Sequence, residues 1–189
     1  MLTYTYALVT LTVEQKKARQ LLTELRERFQ HCDCGERCTR QQCFERTLQR
    51  LIRFDASSHR RNVELYLIPA VRAAEPGASA LIDELDALSA ASARILEHVC
   101  ERIEFAAAGQ DHAFRELCGA MQCYCDNLLE RLDREERELF PLARRVLSQD
   151  GWFHLASQFI SHSEELQRVH HASQPPARRA TLLGQVGAA

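Results

Sequence analysis

The chain is poor in residues that punctuate structure. Seven glycines and five prolines among 189 residues leave too few turns for a many-stranded sheet. Lysine occurs only at Lys16 and Lys17, and the 24 basic residues are interspersed with 26 acidic ones. No basic stripe or arm results, so a nucleic-acid partner is not expected. No apolar run approaches the ~20 residues of a membrane span. The opening Met1-Leu2-Thr3-Tyr4-Thr5-Tyr6 lacks the basic n-region of a secretory leader. These absences point to a cytoplasmic, soluble protein with no membrane partner. There is also no Gly-rich phosphate loop and no G-x-S-x-G nucleophile motif, so enzymatic turnover is the least supported reading.

What is present is the balance of a protein with a core: 46% hydrophobic and 26% charged residues, enough apolar side chain to exclude disorder as the main state. The length suits one domain. Apolar residues at alternating spacings of three and four predict helices. Leu8, Leu11, Gln15, Ala18, Leu22, Leu25 and Phe29 form one stripe over about Tyr6 to Gln30. A second helix is expected from about Gln41 to Ala74, carrying Asp55 and His59 among its core positions, before the turn at Pro76-Gly77. A third runs from about Ser79 to Ala107, and a fourth starts near Asp111 with Glu135 inside its apolar stripe. Trp152 to about Val169 reads as a shorter helix docked on the others. Short connections make neighbours antiparallel, so the expected fold is an all-α, up-down-up-down four-helix bundle with a short extra C-terminal helix. Residues 1–171 form the expected bundle, with a Cys-rich loop at 31–43, and residues 172–189 a flexible tail.

Two segments carry the most specific signal. Phe54-Asp55-Ala56-Ser57-Ser58-His59-Arg60-Arg61-Asn62-Val63-Glu64 leads to Leu67-Ile68-Pro69, and Leu132-Asp133-Arg134-Glu135-Glu136 leads to Leu139-Phe140-Pro141. On these segments, together with Asp150-Gly151-Trp152, the chain resembles the hemerythrin-like, or HHE cation-binding, family over about residues 8 to 160. The resemblance implies a four-helix bundle holding two non-haem irons through histidines and carboxylates. It also implies cation binding, or redox, O2 or NO sensing, with a metal ion or small diatomic molecule as ligand. Carried over residue by residue, His59 stands at the helix-two histidine and Glu64 one step beyond the helix-two carboxylate. Glu135 stands at the helix-four carboxylate, and Arg131 replaces the helix-four histidine. Gln15 takes the helix-one position, and Leu85 or Asp86 the helix-three position.

The metal set expected from the resemblance is therefore His59, Glu64 and Glu135, with Gln15, Asp86 and Arg131 at or near ligand positions. On a regular helix, residues five apart are turned by ~140°, which separates His59 from Glu64. Arg131 would also repel a cation. A degenerate site follows as an expectation: Arg131 and Glu135, four apart, pair in the space of the metal, and His59, Asp55 and Gln15 complete the hydrogen bonds. A metal-free regulatory or interaction module, partnered by an unknown protein or by a second copy as a homodimer, is the alternative.

The cysteines form a second constellation. Cys32, Cys34, Cys38 and Cys43 surround Asp33-Cys34-Gly35 and supply soft ligands for zinc or a redox-responsive dithiol. The spacing is no zinc signature, and a permanent disulfide is disfavoured in the cytoplasm. Cys100, Cys118 and Cys125 are expected to act as small buried apolar residues. Iron, zinc at the loop, or no cofactor at all are the open choices.

Overall fold

A computed structural model describes residues 2–31, 40–106 and 111–173. These residues are helical almost throughout, with no strand among them. Helix α1 spans Leu2–Gln30, four residues more at its start than the apolar stripe indicates, and α2 spans Arg40–Ser58. A π-helical turn at Val63–Leu67, here π1, leads into α3 at Ile68–Ala74. A 3-10 turn at Pro76–Ala78 precedes α4 at Ser79–Ala106. Helix α5 is Asp111–Arg134, followed by a second π turn, π2, at Glu135–Leu139 and by α6 at Phe140–Val146. The last helix, α7, covers Gln149–Ser173. It is the extra C-terminal helix of the sequence reading, longer than expected. The four residues 107–110, most of the Cys-rich loop and residues 174–189 of the expected tail lie outside the described residues.

The helix expected over 41–74 is not continuous. Asn62 directs its backbone N–H at Glu14 Oε2, 3.0 Å away, while its side-chain amide donates to Glu14 Oε1 at 2.8 Å. The Ser57 and Ser58 hydroxyls donate to the carbonyls of Phe54 and Asp55. Side chains that bond nearby backbone in this way compete with the helical ladder. Residues 59–61 consequently form a turn.

Both π turns have one cause. Proline cannot donate a hydrogen bond, and its ring collides with the carbonyl four residues earlier. Pro69 and Pro141 each follow a widened turn in which the bond skips a residue: Ile68 N–H donates to Val63 O, and Phe140 N–H to Glu135 O. At the start of α7, the Ser148 hydroxyl accepts the Gly151 N–H at 3.2 Å, an N-cap that satisfies one orphan donor.

Helix α4 packs along α5, and α1 packs against both α5 and α7. The buried apolar residues divide into two clusters. One joins Ala7 and Leu11 of α1 to Val63, Leu67, Ile82, Leu85, Leu139, Trp152 and Phe159. The other joins Leu22, Leu25 and Phe29 to Phe44, Leu51, Val99, Met121, Tyr124 and Leu132. Phe44 makes edge-on contacts with Phe29 and Phe114 at 5.5 and 5.4 Å. Each fully buried large side chain contributes about 1.5–3 kcal/mol. No described helix is long and apolar enough to cross a membrane.

Candidate functional site

Between the two apolar clusters lies a layer of polar side chains, with Gln15, Asn62, Arg131 and Glu135 all buried. Glu135 is fully buried and is its centre. It accepts from Arg61 Nη1 at 3.2 Å and Nη2 at 2.5 Å, from Arg131 Nε at 3.1 Å, and from Gln15 Nε2 at 2.9 Å. Gln15 Nε2 also reaches the Leu132 carbonyl at 3.2 Å. The second arm of Arg131 continues the network, with Nη1 donating to the Ser89 hydroxyl of α4 and Nη2 standing 2.7 Å from Glu64 Oε1. Five helical segments thus meet at one carboxylate and two guanidiniums.

Burial pushes the Glu135 carboxyl upward, but the charges and hydrogen bonds of Arg61 and Arg131 and the amide of Gln15 outweigh it, so it is held below the usual carboxylate range. It remains ionised near neutral pH. Burial opposes the charge on Arg61 as well, yet Glu135 raises its pKa above the ordinary arginine value. Glu64 and Glu14 behave the other way. Burial raises Glu64, aided by the negative charge of Glu135 and against the pull of Arg131. Burial likewise raises Glu14, against the Asn62 hydrogen bonds and the charges of Arg61 and His162.

Some N–H and C=O groups in the layer remain unused. Arg61 Nε, Arg131 Nη2 and Asn62 Oδ1 are buried without a hydrogen-bond partner. Arg131 Nη2 nevertheless forms an ion pair with Glu64 Oε1 at 2.7 Å. Beside these atoms is a cavity of about 40 Å³ walled by Arg61, Glu64, Arg131, Asp55 and the apolar side chains of Leu22 and Leu128.

Several sequence expectations are met and others corrected. The Arg131–Glu135 pair forms, and Gln15 completes it. Glu64, set apart from the site by regular helix geometry, does reach it, because the turn at 59–61 and π1 reset the helical phase. His59 is corrected: it lies exposed at the helix break and makes no hydrogen bond or ion pair with a described residue, lining only the cavity wall. Asp55 is not part of the network either and accepts instead from the buried Tyr124 hydroxyl at 2.6 Å. Asp86 is exposed and faces Arg72 at 3.6 Å, away from the site. The residue missed was Arg61. The cluster Ser57-Ser58-His59 followed by Asn62, all weak helix formers that favour turns, was the available signal.

Among the described residues, no group of three or more His, Cys, Asp or Glu is placed to hold a metal ion. The residues present do not fit one: two guanidiniums and an amide aim their N–H groups at the carboxylate a cation would need. Of the thiols, Cys32, Cys34 and Cys38 lie outside the described residues. Cys43 is disulfide-bonded, which leaves it no free thiolate to offer a metal. Cys118 and Cys125 are buried as expected, and burial pushes the Cys125 thiol up to about 12. Cys100, by contrast, is exposed.

Comparison of the chain with protein-family models, with curated proteins and with solved structures yields no match.

Proposed function

We propose that the chain is a metal-free helical module of the hemerythrin-like type, working as a regulatory or interaction protein and not as an iron carrier. In this reading α1, α2–π1–α3, α4 and α5–π2–α6 are the four antiparallel rods of the bundle, and α7 is the added helix. The observation that carries it is the convergence of Arg61 and Arg131 on Glu135. The two guanidiniums neutralise interior carboxylates and fill the space between rods that a di-iron centre needs. An interaction role is supported by Tyr6, Val9 and Val13, large apolar side chains exposed along one face of α1, which suit contact with a protein partner or a second copy of the chain.

The test is metal analysis of untagged protein purified without chelator, followed by aerobic loading with ferrous iron. The expected result is no stoichiometric metal and no near-ultraviolet charge-transfer band. Stoichiometric iron with such a band would overturn the proposal.

The Cys43 disulfide favours a second reading, in which the Cys-rich loop acts by thiol–disulfide exchange. Thiol titration with and without reductant tests it. An unchanged thiol count would remove it.

A further inference from the structure

Helix α7 lies parallel to α1. Tyr4 meets Trp152 edge-on at 5.1 Å. Ten residues further along each helix, Glu14 accepts from Asn62 and His162 donates to the Arg60 carbonyl at 3.0 Å, both at the break between α2 and π1. Ala7 and Leu11 of α1 turn inward together with Ala156 and Phe159 of α7. One flank of α7, with Gly151, His154 and Gln158, borders Pro69 and Ala70 of α3. Helical spacing puts Phe153 and Ile160, seven apart, on the other flank, toward α1. Both are exposed, Phe153 at 59%. On α1, Arg19 and Arg26 turn toward Asp133 and Asp126 of α5, and the same spacing puts Tyr6 and Val13 on the side away from them, with Val9 at the crest. Five of the seven large apolar side chains exposed among the described residues therefore gather on one strip over the α1–α7 pair. Contiguous apolar surface of this kind marks a contact site more often than scattered single residues do.

The two ends of the strip carry opposite charge. Lys16 and Lys17, the only lysines of the chain, follow Val13 by one turn, and Asp150 precedes Phe153 by one turn. All three are exposed, and none forms an ion pair with a described residue. Glu164, at the lysine end, is held by Arg168 at 3.4 Å. We propose that the strip binds a second copy of this chain, the α1–α7 pairs packing face to face about a two-fold axis. An axis midway along the strip, at the level of Val9 and Ser157, lays α1 antiparallel on α7 of the partner. Lys16 and Asp150 stand equally far from that level on opposite sides, so each Lys16 meets the other copy's Asp150, the self-complementarity that an isologous interface requires. The face is roughly 20 Å by 20 Å, small for a stable dimer, which sets a dissociation constant on the order of 10–100 µM. The inference rests on the interaction role proposed above and names its partner.

The experiment is sedimentation velocity on the full chain from roughly 1 to 500 µM, a range that spans this constant, in reductant so that no intermolecular disulfide contributes. A reversible, concentration-dependent dimer is expected. Val9→Glu, a change at an exposed position, is expected to stay monomeric over the range while its circular dichroism and melting temperature match the parent. Lys16→Glu and Asp150→Lys are each expected to weaken association about tenfold or more, since each sets like charges against one another at both ends. Mixed in equal amounts, these two variants are expected to regain the parent's association, because the mixed pair has opposite charges at both ends. A monomer at every concentration would leave the strip to a different protein and overturn the proposal. A dimer that survives Val9→Glu, or a mixture that associates no better than its components, would overturn it as well. The metal-free reading falls on stoichiometric iron and the self-association on sedimentation, so the two failures are separable.

Discussion

The α2–π1–α3 and α5–π2–α6 junctions are built on the same plan and differ in one respect. Each places a proline six residues after the start of a π turn, Pro69 after Val63 and Pro141 after Glu135. In α5 the helix reaches the π turn unbroken, so Arg131 and Glu135 stay one turn apart on a single face and pair. In α2 the helix breaks first, and Arg61, not His59, swings inward. Equivalent positions therefore hold different environments: Val63 is buried in an apolar cluster where its counterpart Glu135 is buried among guanidiniums, and Asn62 and Arg134 stand at the first boundary of their π turns. One proline rule thus produces either a charged or an apolar interior, depending on whether the preceding turn keeps its phase.

The largest expected effect separates Glu135 from its counterpart. Glu135→Ala leaves Arg61 and Arg131 buried without their shared carboxylate, which costs about 3–5 kcal/mol. Val63→Ala costs about 2 kcal/mol from lost burial. Denaturant titration of both variants measures the gap, and equal losses would dissolve the contrast. The combined replacement Arg61→Met, Glu64→Leu, Arg131→Leu and Glu135→Leu is the converse. Removing these four charges together is expected to be neutral or to stabilise by about 1–4 kcal/mol. A loss comparable to that of Glu135→Ala would mean that the network itself, and not the orphaned charge, carries the stability.

Asn62→Ala acts only on the broken junction. It removes the side-chain bond to Glu14 and is expected to cost about 1 kcal/mol, with hydrogen exchange rising at residues 59–65 and not around Glu135. Proton uptake separates the junctions again. Glu14 and Glu64, at the broken junction, have raised pKa values, so the stability they add is complete below the ordinary glutamate pKa and is lost as pH climbs above it. Glu135 has a lowered value, and its share is present above the ordinary pKa and lost as pH falls through its own. Melting temperature is therefore expected to rise as the solution is acidified from neutral to about pH 4.5, then fall. Glu14→Gln with Glu64→Gln should flatten the first limb alone. The smallest effect is Arg134→Ala, which removes exposed pairs with Glu84 and Glu138. It should change stability by less than about 1 kcal/mol, and a larger loss would show that the intact junction depends on its rim.

Much of this was legible from residue order. The stripes in α1, α4 and α5 appear at the expected positions, because burial of one face imposes its period directly on the sequence. Gln15 and Glu135 were visible as polar interruptions in apolar stripes, and the i, i+4 spacing of Arg131 and Glu135 announced their pairing. His59, Asp55 and Asp86 went elsewhere for separate reasons. His59 lies in the turn at 59–61, where an uninterrupted helix was assumed; the Tyr124 hydroxyl, distant in sequence, engages Asp55; and the role of Asp86 came from the resemblance alone, while the residue is exposed beside Arg72.

The sequence alone determined that the described chain is helical, where most of its helices begin and end to within a few residues, the break at 59–61 excepted, and that charge would interrupt the core. Those features follow from local periodicity, helix-breaking residues and composition. Only the tertiary structure decided which charges meet. Glu14 lies 48 residues from Asn62, and Arg61 lies 74 from Glu135. Whether an arginine turns toward a carboxylate so distant depends on the competition between packed rods and water, a choice with no period to leave in the sequence.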